Sequence, residues 1–178
     1  MSLRRALAML LLTVVPSCGG DSQAKEPAQP AASTAKPKKV GYDLRRLRPV
    51  NEEPLKDMFE RLRSAAVKEG KFVAILFSAD WCEPCRLLDL EFGNMHPAEA
   101  IGHVRILEIK EEDWEAATRM NEVNGLRTRW TPTINAYPVL VLLDEHGDRI
   151  EEMQDAKDRL EHEGVDPTIP NWFAALKR

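Results

Sequence analysis

Cys82 and Cys85 stand three residues apart in Trp81-Cys82-Glu83-Pro84-Cys85-Arg86, just after the continuous apolar run Phe72–Ser78. On the first turn of a helix, that spacing brings two sulfurs within disulfide range. The first cysteine then sits among free backbone N–H groups at the positive end of the helix dipole, where a thiolate is favoured. Its pKa can fall from ~8.5 toward ~7, making it a nucleophile near neutral pH. The second cysteine, one turn further in, is placed to resolve a mixed disulfide. The chemistry this pattern offers is thiol–disulfide exchange, with Cys82 attacking and Cys85 resolving.

Other uses of the pair fit less well. A structural zinc site takes about four ligands. No second CxxC exists, and His96, His103, His146 and His162 are scattered. A c-type haem needs a histidine directly after the second cysteine, and Arg86 stands there. No metal and no other cofactor is expected. A purely structural disulfide remains the competing reading. The third cysteine, Cys18, belongs to a different part of the chain.

That part is a targeting segment. Arg4 and Arg5 precede an apolar stretch, Ala6–Val15, too short to span the bilayer core, which takes ~20 helical residues. Val15-Pro16-Ser17-Cys18 closes it and resembles the lipobox of bacterial lipoproteins. The resemblance implies cleavage after residue 17, a lipid on Cys18, and a bacterial envelope protein facing the periplasm or the cell exterior. An ordinary secretory signal and an uncleaved anchor are the alternatives. The segment that follows, to residue 41, is rich in Ala, Pro, Lys and Ser and cannot bury enough apolar surface to offset its ordering entropy. It reads as a disordered tether reaching roughly 25 Å. The organisation expected is signal 1–17, lipidated Cys18 and linker 18–41, and one domain, 42–178. The chain's 178 residues carry a net charge of −4, which argues against a nucleic-acid partner. The acidic balance also leaves the lipid on Cys18 as the membrane anchor.

The elements around the cysteines follow from periodicity. Leu55, Met58, Phe59, Leu62 and Ala66 predict a helix over 51–70, capped by Asn51 and ended by Gly70. Phe72–Ser78 predicts a strand buried on both faces. A second helix starts at the cysteines, with Leu88 and Phe92 on one face. Residues 103–109 alternate as a strand, with Val104, Ile106 and Glu108 on one side. A helix over 113–123 closes at Asn124-Gly125. Val139–Leu143 is a strand, turning through Asp144–Gly147 into Arg149–Met153. Pro170 opens a last helix that buries Trp172, Phe173 and Leu176. Alternating strands and helices that end in a hairpin give an α/β fold: a central mixed sheet flanked by helices.

With a CxxC at the strand-to-helix junction, this layout resembles the thioredoxin superfamily over roughly residues 50–178. Trp81-Cys82-Glu83-Pro84-Cys85 is similar to its active-site signature. Tyr137-Pro138 before Val139–Leu143 is similar to its second landmark, a cis-proline opening the last hairpin. A copper chaperone of the related fold would need a CxxxC and a ligand histidine, and neither is present. The resemblance implies that Trp81 shields the site and that the Tyr137-Pro138 loop holds a substrate backbone beside Cys82. It implies protein substrates with cysteine pairs and a separate redox partner protein. Members of the superfamily often bury an aspartate six residues before the first cysteine. Here that position is Leu76, so Glu83 or water is expected to take the resolving proton.

The remaining signals are weaker. Residues 126–137 form a longer link than thioredoxins use before the proline. Arg127, Arg129, Trp130 and Asn135 are therefore either a substrate-selecting loop or a packed insertion. Glu111-Glu112-Asp113 reads as a solvated helix start, and His96 as a surface residue or a satisfied helix end. The functional expectation is an exported, lipid-anchored thiol–disulfide oxidoreductase. The alternative is a non-catalytic thioredoxin-fold binding module at the envelope.

Overall fold

A computed structural model describes residues 37–131 and 137–176. The expected signal segment, Cys18, most of the tether and Asn135 lie outside the described residues. Among the described residues, no helix is long and apolar enough to cross a membrane.

Fourteen elements are present among those residues. They run β1 (Lys39–Val40), β2 (Asp43–Arg46), α1 (Leu55–Lys68), β3 (Phe72–Ser78), α2 (Glu83–Phe92), β4 (His96–Pro97) and α3 (Ala98–Ile101). Then follow β5 (Val104–Lys110), α4 (Glu111–Ala116), α5 (Met120–Arg127), β6 (Val139–Leu143), β7 (Arg149–Glu152), α6 (Met153–His162) and α7 (Ile169–Ala174). The main sheet has the order β2-β5-β3-β6-β7. β2, β5 and β3 are parallel; β6 and β7 are antiparallel to their neighbours.

β3 is the middle strand, and its apolar run is explained by burial from both sides. Its odd residues, Val73, Ile75 and Phe77, pack with Leu55, Met58, Phe59 and Ala66 of α1 and with Trp114, Val123 and Leu126 of α4 and α5. Its even residues, Ala74 and Leu76, pack with Leu88 of α2, Ile101 of α3, Ala156 and Leu160 of α6, and Trp172 and Phe173 of α7. Each fully buried aliphatic side chain of this kind stabilises by about 1.5–3 kcal/mol. The mixed sheet flanked by helices is the architecture expected from the sequence.

Several details differ from expectation. Lys39 and Val40, read as tether, pair antiparallel with Pro97 and His96, and the Ala98 N–H donates to Lys38 O at 2.8 Å. α1 begins at Leu55 rather than at Asn51. Its first N–H donates at 2.7 Å to the Glu122 carboxylate of α5, so a distant acid does the work of a local cap. The helix expected over 113–123 is two helices, broken at Thr118, which adopts φ 57°. The break lets α4 bury Trp114, whose indole N–H reaches Leu47 O at 3.2 Å, while α5 turns Val123 and Leu126 to the same core. Asn124-Gly125 lies inside α5 rather than ending it, and a side chain at Gly125 would meet open space. β7 stops at Glu152, and Met153 starts α6.

Candidate active site

The site lies where β3 ends. Ser78 is the last residue of the strand, and Ala79–Trp81 lead into α2. Cys82 is the N-cap of α2, with Glu83 and Pro84 in its first turn. Proline is tolerated there because the first-turn N–H groups have no partner within the helix. Cys82 and Cys85 are disulfide-bonded, with Cα atoms 5.2 Å apart, and both are buried. The Cys85 N–H donates to Cys82 Sγ at 3.2 Å. That donor, together with the helix dipole, would favour a thiolate on Cys82 in the reduced pair.

Two aromatic side chains frame the pair. Trp81 is 66% exposed, and its ring meets Tyr137 edge-on, with centroids 5.6 Å apart. Tyr137 packs on Ala79, Cys82 and Cys85, and the Tyr137–Pro138 bond is cis. The guanidinium of the buried Arg127 lies 4.6 Å over the Tyr137 ring. Burial, with Glu111 accepting from the hydroxyl, pushes the ionisation of Tyr137 well above its usual value. A groove bounded by Pro84, Leu87, Pro138, Leu140, Met153 and Ile169 runs beside the pair. Leu87, at its edge, and Leu90 of the same helix are exposed.

The expected proton acceptor Glu83 stands on the outside of α2, 62% exposed and paired with the equally exposed Arg86. Leu76, in the position where the superfamily often has aspartate, is fully buried in the core. Its register partner on β5 is Glu108. Glu108 is 3% exposed and accepts a hydrogen bond from the Ser78 hydroxyl at 3.0 Å. Burial is the main reason its carboxyl is held above the ordinary glutamate value. The sequence signal for this acid was its inward position between apolar residues of an alternating strand. Nearby, Lys110 binds Asp80 at 2.8 Å and Asp89 of α2 at 3.0 Å.

The segment before Tyr137 is divided in its roles. Trp130 is buried against Phe59, with its indole N–H on Gly147 O at 2.8 Å, and Arg129 pairs with Glu60 of α1 at 2.8 Å. Both are packing residues, whereas Arg127 reaches the aromatic wall of the site. The acidic run opens α4 as expected, but it is half-buried rather than solvated, because it is bonded: the Asp80 N–H donates to Glu112 at 2.7 Å, and Arg46 to Asp113 at 2.7 Å. His96 lies in β4, edge-on to Tyr42.

The strand order, the dithiol pair at the start of α2 and the cis proline leading into β6 define a thioredoxin fold with a CxxC site. No protein-family model matches the chain, and no curated protein matches it. Solved structures similar to it include a disulphide isomerase from Xylella fastidiosa, at 19% identity and TM-score 0.46, covering 72% of this chain and 95% of that one. A poplar thioredoxin h is similar at 19% identity and TM-score 0.39, covering 68% and 92%. Thioredoxin O1 from Arabidopsis thaliana in the oxidized state is similar at 18% identity and TM-score 0.40, covering 69% and 97%.

Proposed function

We propose that this chain is a thiol–disulfide oxidoreductase that exchanges electrons with cysteine pairs of other proteins and is reset by a separate redox partner protein. The observation that carries the reading is the Cys82–Cys85 pair at the N-terminus of α2, with the Cys85 N–H on Cys82 Sγ. In reduction of a substrate, the Cys82 thiolate attacks one substrate sulfur and the other leaves as thiolate. Cys85 then attacks Cys82 Sγ, the mixed disulfide breaks, and the pair is left oxidised. The exposed Trp81 supports a surface on which a protein substrate can lie. The N-terminal sequence supports a lipid anchor on Cys18 at the bacterial envelope, facing the periplasm or exterior.

The test is trapping in cells. Cys85→Ser should accumulate mixed disulfides through Cys82 in the membrane fraction, because attack survives and resolution does not. Cys82→Ser should accumulate few. Adding Cys18→Ser to the trapping variant should remove the adducts from the membrane fraction. Equal trapping by the two single variants would contradict the assigned roles, and adducts that stay membrane-bound without Cys18 would contradict the anchor.

A further inference from the structure

The resolving step needs a proton acceptor, because Cys85 must lose its proton before it can attack. We propose that Glu108 is that acceptor, taking the Cys85 proton as the pair closes and returning it as the pair is reduced. The proposal rests on the redox reading of Cys82 and Cys85 given above.

Four observations converge on this residue. The first is position. Val104, Ile106 and Glu108 alternate onto the sheet face that α2 covers, where Leu76, Ile106 and Leu88 pack together. Leu88 is one turn beyond Cys85 on that helix. Glu108 pairs in register with Leu76 and bonds Ser78, the residue from which the chain turns toward Cys82. The second is burial: at 3% exposure the carboxyl is nearly shut off from solvent, as are both cysteines. The third is its partner. A hydroxyl can donate to a carboxylate and accept from a carboxylic acid, so Ser78 can hold Glu108 in either protonation state. The fourth is the surrounding charge. Lys110 is spent on Asp80 and Asp89, and Arg46 is bonded to Asp113. No cation hydrogen-bonds Glu108 itself among the described residues.

The groups acting on Glu108 are therefore Ser78 of β3, Lys110 of its own strand, Asp89 of α2 and Arg46 of β2. Burial and Asp89 raise its proton affinity; Ser78, Lys110 and Arg46 lower it, and the net effect is upward. A carboxylate with raised proton affinity is a better match for a thiol proton than an ordinary surface acid, because general-base efficiency rises as the two affinities approach. Glu83 stands on the exposed outer side of α2, ion-paired with Arg86.

The step balances without an added reagent. The Cys85 proton moves to Glu108, the Cys85 thiolate forms a bond to Cys82 Sγ, and the Cys82–substrate disulfide breaks. The substrate sulfur leaves with the electron pair and is protonated by water. The dithiol is oxidised and the substrate disulfide is reduced.

The experiment is single-turnover oxidation of the reduced full chain by a disulfide peptide between pH 5 and 9. Acid quench, alkylation and mass spectrometry count the mixed disulfide and the closed pair. Glu108→Gln should slow resolution by at least about tenfold near pH 7 and move its pH dependence upward. Glu108→Asp should recover part of both. In a Cys85→Ser background, attack by Cys82 should be unchanged by Glu108→Gln, a separation that a merely structural role would not give. Superimposable resolution profiles for wild type and Glu108→Gln would overturn the proposal. A wild type that forms no mixed disulfide at all would instead overturn the oxidoreductase reading. If Glu108→Gln does not fold, carboxyl-carbon NMR of the wild type decides. Glu108 should titrate above ordinary glutamates and at different pH in the dithiol and disulfide forms, and identical curves in both forms would overturn its role.

Discussion

The two ends of β5 carry buried charge in opposite ways. At the start of the strand, Arg105 is held by Asp43 at 2.8 Å and by both Glu69 oxygens at 3.0 and 2.8 Å, while Lys71 also binds Asp43. At the other end, Glu108 has a neutral hydroxyl for a partner. The two carboxyls respond accordingly. Burial raises the proton affinity of Asp43, but the bonds from Lys71 and Arg105 outweigh it and leave the group below its usual range. Burial prevails at Glu108 and leaves it above. A matched cluster fixes a sheet edge and has little reason to exchange protons. A buried acid bonded by a hydroxyl rather than by a cation has more reason to exchange a proton.

Breaking the matched end should give the larger effect on stability. Arg105→Met removes the cation from Asp43 and Glu69. Because Lys71 remains and Glu69 is half exposed, the loss should be about 2 kcal/mol rather than the larger cost of orphaning a fully buried charge. Denaturant unfolding measures it, and the rate of disulfide exchange should not change. A variant as stable as wild type would show that the cluster is dispensable.

The unmatched end should give a smaller effect with a distinct pH signature. The folded-state pKa of Glu108 is raised, so its contribution to stability is fully present below the ordinary glutamate value, 4.5, and is lost as pH rises through the folded value. Glu108→Gln should therefore gain stability relative to wild type as pH increases from 4 to 8. Asp43 has the reverse sign: its contribution is present above 3.8 and is lost as pH falls through its lowered folded value. Unfolding midpoints of wild type and Glu108→Gln across that range check the sign, and a variant that loses stability relative to wild type as pH rises would contradict it.

The same contrast explains what could be read from the sequence. The redox pair, the middle strand and the Tyr137-Pro138 landmark are local patterns: a spacing, an apolar run, and a dipeptide before a strand. The strand Asp43–Arg46 escaped because three of its four residues are charged and only Leu44 is apolar. Its place at the sheet edge comes from backbone pairing with β5 and from the Asp43–Arg105 contact, both distant in sequence. α6 escaped because Met153, Ala156 and Leu160 are a short apolar stripe in a strongly charged segment. Thr118 breaks a helix that periodicity would continue, since Trp114 and Val123 must both reach one core. Glu108 was visible as an inward acid. Its place beside β3 depends on parallel register with Leu76 and on the Ser78 hydroxyl, neither of which a single strand's pattern encodes.

A working redox couple and a structural bridge at Cys82 and Cys85 differ most plainly in reduction potential. Equilibrating the full chain in dithiothreitol and glutathione buffers, and counting free thiols after acid quench, measures the reduction potential of the pair directly. A thiolate favoured by the α2 N-terminus and by the Cys85 N–H stabilises the reduced form, so the expected potential lies between about −270 and −120 mV, the span of catalytic dithiols. A pair that stays oxidised below about −300 mV, as structural disulfides do, would contradict it.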